Sequence, residues 1–361
     1  MCEPIYKYQY LIDKVLQYLD YRVSQHPNSI DILLKNPKLI KWNCLSMNPN
    51  AVHILEKNLD KLDKLCWYEL SLNPNAVNIL EKNLDKVDWQ GVSKNPNAIH
   101  ILEKNLDKIN WNALSTNINA IHILEKNLDK IVWFGLATNP NAINILEKNL
   151  DKLDQICWYE LSSNPNAVHI LEKNLDKVCW QGLSSNINAI HLLESNLDKV
   201  DWMSLAQNPN AVNIIENYLN YLENIMEYDY DELLSHNHSD IYYSISANPN
   251  AIHLIKKIMP SVNYKFLALN QNALDILMEY MINNDNFYDK ILPNRVPNIT
   301  IIESLIENPS LFDLDYKKMG KNRSKIIYNQ LIEKALAPSR IRKHLYYHLE
   351  QGYEITEFDY Y

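Results

Sequence analysis

The sequence predicts an all-α protein, a right-handed α-solenoid built from short two-helix repeats. Three observations point to this class. An Asn-Pro-Asn-Ala motif recurs along the chain, all eight tryptophans occupy one position of the resulting repeat, and apolar residues within each repeat follow helical spacing. The chain also contains only 5 glycines, which disfavours an architecture made of many tight β-turns.

The anchor of each repeat is the asparagine that opens the Asn-Pro-Asn-Ala motif. Most anchors are 22 residues apart, and two units carry three additional residues. The series of one 25-residue and three 22-residue spacings recurs, which indicates duplication of a four-repeat block of 91 residues. The consensus unit reads NPNAIHILEKNLDKIDWxxLSx. With variants and degenerate copies, the anchors are His26, Asn48, Asn73, Asn95, Asn117, Asn139, Asn164, Asn186, Asn208, Asn248 and Asn270.

Every tryptophan stands six residues before the following anchor. A large ring in the same slot of each unit predicts a core that continues from unit to unit. The eight residues are Trp42, Trp67, Trp89, Trp111, Trp133, Trp158, Trp180 and Trp202.

Each unit is expected to contain a longer helix, a tight link and a shorter helix. In the unit 95–116, Asn95 is a candidate N-cap and Pro96 suits the first helical position. The apolar spacing that follows predicts an amphipathic helix of about three turns. Asn110 is then a candidate cap for a second helix that begins at Trp111.

Small residues two positions after the tryptophan, among them Gly91 and Gly182, are expected to let neighbouring helices approach closely. The two longer units hold Glu69 and Glu160 at this position, so their packing should differ.

A leucine-rich-repeat-like solenoid is the alternative fold, because it shares this period. The fragment Leu84-x-x-Val87-x-Trp89 resembles the LxxLxL pattern of that class. It then places the apolar Val92 where the leucine-rich pattern has asparagine, which favours the all-helical prediction.

Three regions are predicted along the chain. Residues 1–25 form an N-terminal helical cap, because apolar residues recur there at helical spacing outside the repeat register. Residues 26–280 form the tandem array, with an acidic, tyrosine-rich insertion near 220–240. Residues 281–361 contain degenerate repeats and a C-terminal helical cap, since the ends of a solenoid need polar faces for solubility.

Composition restricts the partners and the compartment. The formal net charge of −9 is unfavourable for binding nucleic acid, which needs clustered lysine and arginine. The five cysteines form no CxxC pair and suggest no disulfide framework. The chain shows neither a signal peptide at its start nor a membrane-spanning apolar stretch. A soluble protein of a reducing compartment is the expectation.

No catalytic, cofactor-binding or metal-binding residue is predicted. Histidine recurs at one repeat position, but stacked units about 8–10 Å apart cannot supply ligands to one ion about 2.0–2.3 Å away. Asparagine replaces histidine in several copies, as at Asn144, which favours a hydrogen-bonding role. Cys66, Cys157 and Cys179 precede tryptophans and lack the orienting groups of a nucleophile.

The candidate partner-binding surface consists of positions that vary between otherwise similar units. The clearest are the two positions that follow each tryptophan. The predicted residues are Tyr68, Glu69, Gln90, Asn112, Phe134, Tyr159, Glu160, Gln181 and Met203.

The consensus unit, together with a closing segment of the APSRIRKHL…GYEI type, resembles the short-repeat proteins of giant DNA viruses of the mimivirus group. The resemblance covers about 26–280 well and the tail moderately. It implies an infected host cell or a virion as the setting, and it supplies no catalytic residues.

The sequence therefore favours a non-enzymatic scaffold that binds a still unknown protein partner and needs no cofactor. A structural virion component is one alternative. A single-stranded RNA reader is another, since some helical repeats read one base per unit. That alternative requires a basic stripe, which the sequence does not show.

Overall fold

A computed structural model gives the fold. It describes residues 6–9, 11–13, 21–226, 239–258 and 262–283, and parts of 304–325. Every regular element in these residues is a helix, and successive helices pack on one another. The predicted all-α solenoid is confirmed, whereas its right-handed sense stays a prediction. The leucine-rich alternative is wrong, because it requires a strand in each unit and the described part of the array contains none.

The chain divides by its contacts into two units. The larger unit is Tyr10–Phe312 and contains the repeat array. The smaller unit combines Met1–Gln9 with Asp313–Tyr361, and in it the Lys7 amide donates to the Asp313 carbonyl at 2.8 Å. Most of the predicted N-terminal cap, the centre of the 220–240 insertion and nearly all of the predicted C-terminal cap lie outside the described residues.

The second helices pack successively on one another from Trp42–Met47 to Ser239–Ile245. Their N-cap is often the residue before the tryptophan: Asn110 Oδ1 accepts from the Ala113 amide at 3.0 Å, and Asp88 and Asp201 cap in the same way. This capping confirms the sequence prediction. The second helices are Trp42–Met47, Lys64–Leu72, Trp89–Lys94, Trp111–Ser115, Trp133–Ala137, Gln155–Ser163, Trp180–Ser185, Trp202–Gln207, Ser239–Ile245 and Tyr264–Leu269.

The first helices are short in the regular units. They are Ile30–Lys35, Val52–Leu55, Val77–Glu81, Ile99–Glu103, Ile121–Glu125, Ile143–Glu147, Val168–Glu172, Ile190–Glu194, Val212–Met226, Ile252–Ile258 and Leu274–Asn283. Short 3-10 helices complete the array at Tyr21–Gln25, Pro27–Ser29, Pro37–Leu39, Glu56–Lys61, Leu106–Lys108, Leu128–Lys130 and Leu150–Lys152.

The three-turn first helix predicted for the unit at 95 is wrong. The helix comprises only Ile99–Glu103 and begins after Ala98. It stops because the Asn105 backbone leaves the helical region (φ −137°, ψ 49°) while its side-chain amide donates to the Ile101 carbonyl at 2.8 Å. A 3-10 turn then replaces the expected continuation.

The sequence suggested that the anchor asparagines cap the helix that follows them, and this prediction is wrong. Each anchor is buried and follows the second helix of the preceding repeat. Asn117 is typical: its Nδ2 donates to the Ser93 carbonyl at 2.9 Å and to the Asn95 carbonyl at 3.1 Å. Its Oδ1 accepts from the Asn119 amide at 3.0 Å. The motif therefore forms a turn whose first side chain joins two repeats.

This ladder of anchors returns to its start within the larger unit. After Asn270 the next member is Asn308, whose Nδ2 donates to the Ala268 carbonyl at 2.6 Å. The Asn308 carbonyl in turn lies 3.2 Å from Nε2 of His26, the first anchor. A carbonyl only accepts, so His26 carries its proton on Nε2, and its Nδ1 accepts from the Asn28 amide at 3.2 Å. The Phe312 ring meets the His26 ring edge-on at 4.5 Å between centroids.

The tryptophans contribute less to the core than their regular spacing suggests. Only Trp67 and Trp158, in the two longer units, are buried, and the other six are half-buried. Fully buried leucines and alanines, such as Leu102, Leu114 and Ala98, fill the centre of the array. The half-buried indole rings lie at its margin, where lysine side chains cover several of them.

The three-residue insertions lengthen the second helix at its start. Gln155–Ser163 has nine residues, compared with five in Trp133–Ala137. Asp154 caps it, and its Oδ1 accepts from the Cys157 amide at 2.8 Å. This amide bond lowers the pKa of Asp154. The altered packing expected around Glu160 follows from this extra turn.

A tyrosine replaces the helix-ending asparagine in two units, and in both the first helix is longer. Tyr218 lies within Val212–Met226, and Tyr280 within Leu274–Asn283. Without an asparagine side chain to bond back to the preceding turn, the helix continues. Because the helix Val212–Met226 is longer than the first helices of the regular units, the surface of this unit differs from theirs.

Candidate functional site

The position directly after each tryptophan from Trp67 onward forms a repeated, largely exposed set. Tyr68 is half-buried, and the other members are exposed. We call this set the variable column; its members are Tyr68, Gln90, Asn112, Phe134, Tyr159, Gln181 and Met203. Phe134 and Met203 expose 45% and 47% of their surface. The structure thus exposes six of the seven members of the variable column to solvent.

Glu69 and Glu160, the other two predicted surface residues, differ from the variable column. Both are half-buried. Burial raises the pKa of Glu69. These two side chains take the position that Gly91 and Gly182 hold in other units, so they are more closely tied to the packing of the lengthened helices than to an open surface.

Five of the six recurring histidines pair with glutamates of the preceding repeat. This placement agrees with the hydrogen-bonding role predicted for that position. Three pairs join Nε2 to a carboxylate oxygen at hydrogen-bond distance: His100–Glu81 at 2.7 Å, His122–Glu103 at 2.9 Å and His191–Glu172 at 2.7 Å. These side chains are substantially exposed, so each pair contributes little to stability.

The cysteines are placed for packing. Cys66 and Cys157 are buried within the lengthened helices, and Cys179 is half-buried before Trp180. Burial raises the pKa of both helical thiols, that of Cys157 to about 11. Since the thiolate is the reactive form, neither thiol suits a nucleophile.

Thiol labelling should separate these cysteines. In a variant with Cys2→Ser, we expect iodoacetamide at pH 8 to modify Cys179 at least about tenfold faster than Cys157, because only Cys179 is partly accessible. Mass spectrometry of the peptides, with the urea-unfolded chain as reference, measures the rates. Equal rates in the folded protein would contradict this placement.

Lysine side chains of the next repeat cover five of the tryptophan rings. In five units the lysine that stands 19 residues after the tryptophan places its Nζ over the indole ring, a cation–π arrangement. The distances from Nζ to the ring centroid are 4.8 Å for Lys61 and Trp42, 5.6 Å for Lys86 and Trp67, 4.8 Å for Lys130 and Trp111, 5.3 Å for Lys177 and Trp158, and 5.2 Å for Lys199 and Trp180.

Trp202 departs from this pattern and borders a pocket of about 490 Å³. The Tyr218 ring stacks on Trp202, with 3.7 Å between centroids and 17° between planes. We call this cavity the Trp202 pocket; its lining is Glu194, Leu197, Asp198, Trp202, Asn213, Ile214, Asn217, Tyr218 and Tyr221. Its size falls within the usual range of ligand pockets.

The prediction from sequence missed this pocket, although a signal was present. In the consensus the unit carries a histidine or asparagine and then two lysines, at the positions that are Asn213, Asn217 and Tyr221 here. The segment 208–222 contains no basic residue at all. A comparison of charges from unit to unit would have identified it as unlike the others.

No group of three or more histidine, cysteine, aspartate or glutamate side chains is placed to hold a metal ion in the residues that the structure describes. Within the same residues, no helix has the length and apolar character needed to cross a membrane. No protein-family model, curated protein or solved structure matches the chain.

Proposed function

We propose that this chain is a non-enzymatic repeat scaffold that binds a partner protein. The observation that supports this function is the variable column: exposed side chains that differ from unit to unit on a frame whose anchors and buried leucines recur. Repeat proteins commonly bind along an extended surface of this kind, because the shared frame fixes the spacing of the side chains.

The chemistry of the variable column suits protein more than nucleic acid. Phe134, Tyr159 and Met203 are of the types enriched in protein interfaces. Gln90 and Gln181 add hydrogen-bonding groups without charge, and no member of the column is basic. The variable column therefore offers no positive charge to the phosphate backbone of a nucleic acid.

The biological setting in which the scaffold acts is a separate proposal. From the resemblance of the consensus unit to short-repeat proteins of giant viruses, we propose that the partner is a protein of an infected host cell or of the virion.

A triple substitution tests the scaffold function. We expect Phe134→Ser, Tyr159→Ser and Met203→Ser together to weaken capture of the principal partner from infected-cell lysate at least about tenfold, because exposed aromatic and thioether groups dominate such contacts. Quantitative mass spectrometry over a series of bait concentrations measures the capture.

The matched control replaces three exposed lysines of the repeat array outside the variable column, Lys104→Ser, Lys126→Ser and Lys148→Ser. This variant should capture the partner as the natural chain does. Equal capture by the variant of the variable column and by the natural chain would contradict the proposed function.

A further inference from the structure

We infer that the Trp202 pocket binds a lysine side chain supplied by a partner protein. This inference rests on the proposed function in one respect, namely that the ligand belongs to a protein. The pocket uses residues outside the variable column, so the two can be tested separately.

The first argument is the lysine that this unit lacks. In five other units an internal lysine Nζ lies 4.8–5.6 Å from the tryptophan ring centroid. The corresponding residue for Trp202, 19 positions later, is Tyr221, and 59% of its surface is exposed. The array therefore repeats a lysine-on-indole contact but provides no internal lysine here.

The second argument is the charge that remains. Elsewhere the glutamate equivalent to Glu194 can pair with a lysine of the next repeat, as in the contact of 3.5 Å between Glu147 and Lys173. The positions of the next repeat that could supply this cation are Asn213 and Asn217, both neutral. Among the described residues, no ion pair joins Glu194 or Asp198 to a basic side chain. The lining of the pocket therefore carries two negative charges and no positive one.

The third argument is the aromatic wall. Tyr218 stacks on Trp202 and extends the ring surface of the pocket, and Tyr221 adds a third ring to the lining. Ring faces attract an ammonium group, and carboxylates beside them neutralise it. Leu197 and Ile214 provide apolar surface for the methylene stem of a lysine.

Together these features favour lysine over other cations. The array already joins a lysine ammonium both to an indole, as in Lys86 over Trp67, and to a carboxylate, as in Lys82 and Glu56 at 3.7 Å. The lining of the Trp202 pocket contains both groups but no lysine, so we infer that the lysine comes from another molecule.

Binding can be followed on the full chain by the NMR signals of its eight indole N–H groups, with that of Trp202 assigned through Trp202→Phe. The probe is the peptide acetyl-Ala-Lys-Ala-amide, and the same peptide with norleucine for lysine keeps the stem without the charge. We expect a saturable shift of the Trp202 signal and an affinity at least about tenfold weaker for the norleucine peptide. Equal affinity for the two peptides, or no shift, would overturn the inference.

Two variants locate the site. Tyr221→Lys places a positive charge in the lining of the pocket and should weaken binding at least about tenfold, because this ammonium group repels that of the peptide and competes for the same carboxylates. Glu194→Gln with Asp198→Asn alters only exposed side chains, so the protein should fold, and we expect at least a tenfold loss of affinity. The matched control is Glu125→Gln with Asp129→Asn, the same two positions in a regular unit, and should bind as the natural chain does. Binding that survives both pocket variants would refute the assignment.

The test of the Trp202 pocket can be distinguished from the test of the scaffold function. Failure of the peptide to bind, with capture still lost in the variant of the variable column, would reject the pocket and retain the scaffold. Saturable peptide binding, with capture unaffected in that variant, would support the pocket and reject the variable column.

Discussion

Replacing Asn117 by alanine is expected to lower the free energy of unfolding by roughly 2–4 kcal/mol, because the Ser93 carbonyl loses its side-chain donor and the Asn95 carbonyl keeps only the Ala98 amide. The Nδ2 of Asn117 donates to the Ser93 and Asn95 carbonyls, both in the preceding part of the array. Alanine cannot replace either bond, and the buried site gives water little access. Urea denaturation followed by circular dichroism measures the change.

Asn119 is the matched control, two residues away in the same motif. Its Nδ2 donates to the Pro96 carbonyl at 2.9 Å, but this bond is exposed. Water can replace it, so Asn119→Ala should cost less than about 1 kcal/mol. If the two variants unfolded at the same urea concentration, the ladder would not carry the stability assigned to it.

The second large effect is expected for Gly182→Ala. A Cβ at Gly182 would lie 2.7 Å from the Tyr159 carbonyl oxygen and 3.1 Å from Ser162 Cβ. The first neighbour is backbone, so the two helices must move apart. Such overpacking costs about 1–3 kcal/mol, of which the better helix propensity of alanine offsets up to about 1 kcal/mol. We expect a net loss of about 1–2 kcal/mol.

Gly135→Ala gives the comparison within the same array. There the nearest atoms are side-chain carbons of Ser115 and Thr116 at 3.2 Å, with the Asn112 carbonyl oxygen at 3.4 Å. Small adjustments can relieve these contacts, and the gain in propensity should bring the net change within about 0.5 kcal/mol of zero. Thermal unfolding of both variants tests the order. A Gly135→Ala variant less stable than Gly182→Ala would show that the limiting approach lies elsewhere.

The success of the sequence in predicting the fold, and its failures, have a common physical origin. Periodicity and local capping signals report on contacts close in the chain, so the unit boundaries and the cap at Asn110 were predictable. The need for a small residue at Gly182 was predictable too, because the position recurs. The role of Asn117 was not, since its partners lie 22 and 24 residues earlier and the same motif also fits a local N-cap.

The same limit applies to the site. Variation between units identified the variable column, but no spacing rule shows which of two adjacent variable positions is exposed. The structure separates exposed Gln181 from buried Gly182 and exposed Tyr159 from half-buried Glu160. The Trp202 pocket depends on Asn217, Tyr218 and Tyr221, which replace consensus residues, and on the lengthened helix that carries them. Only the placement of these residues beside Glu194 and Asp198 shows that the two carboxylates have no basic partner in the lining.

The contact between His26 and Asn308 has a consequence for how this array can evolve and unfold. In an open solenoid a terminal repeat can fray after losing one interface, and copying a block simply lengthens the chain. In the unit Tyr10–Phe312 the first anchor, His26, bonds the last described anchor, Asn308, so the two repeats that carry them contact each other. Keeping the contact between His26 and Asn308 then restricts the number of repeats between them. Another duplicated block would separate His26 from Asn308 unless every interface adjusted its angle.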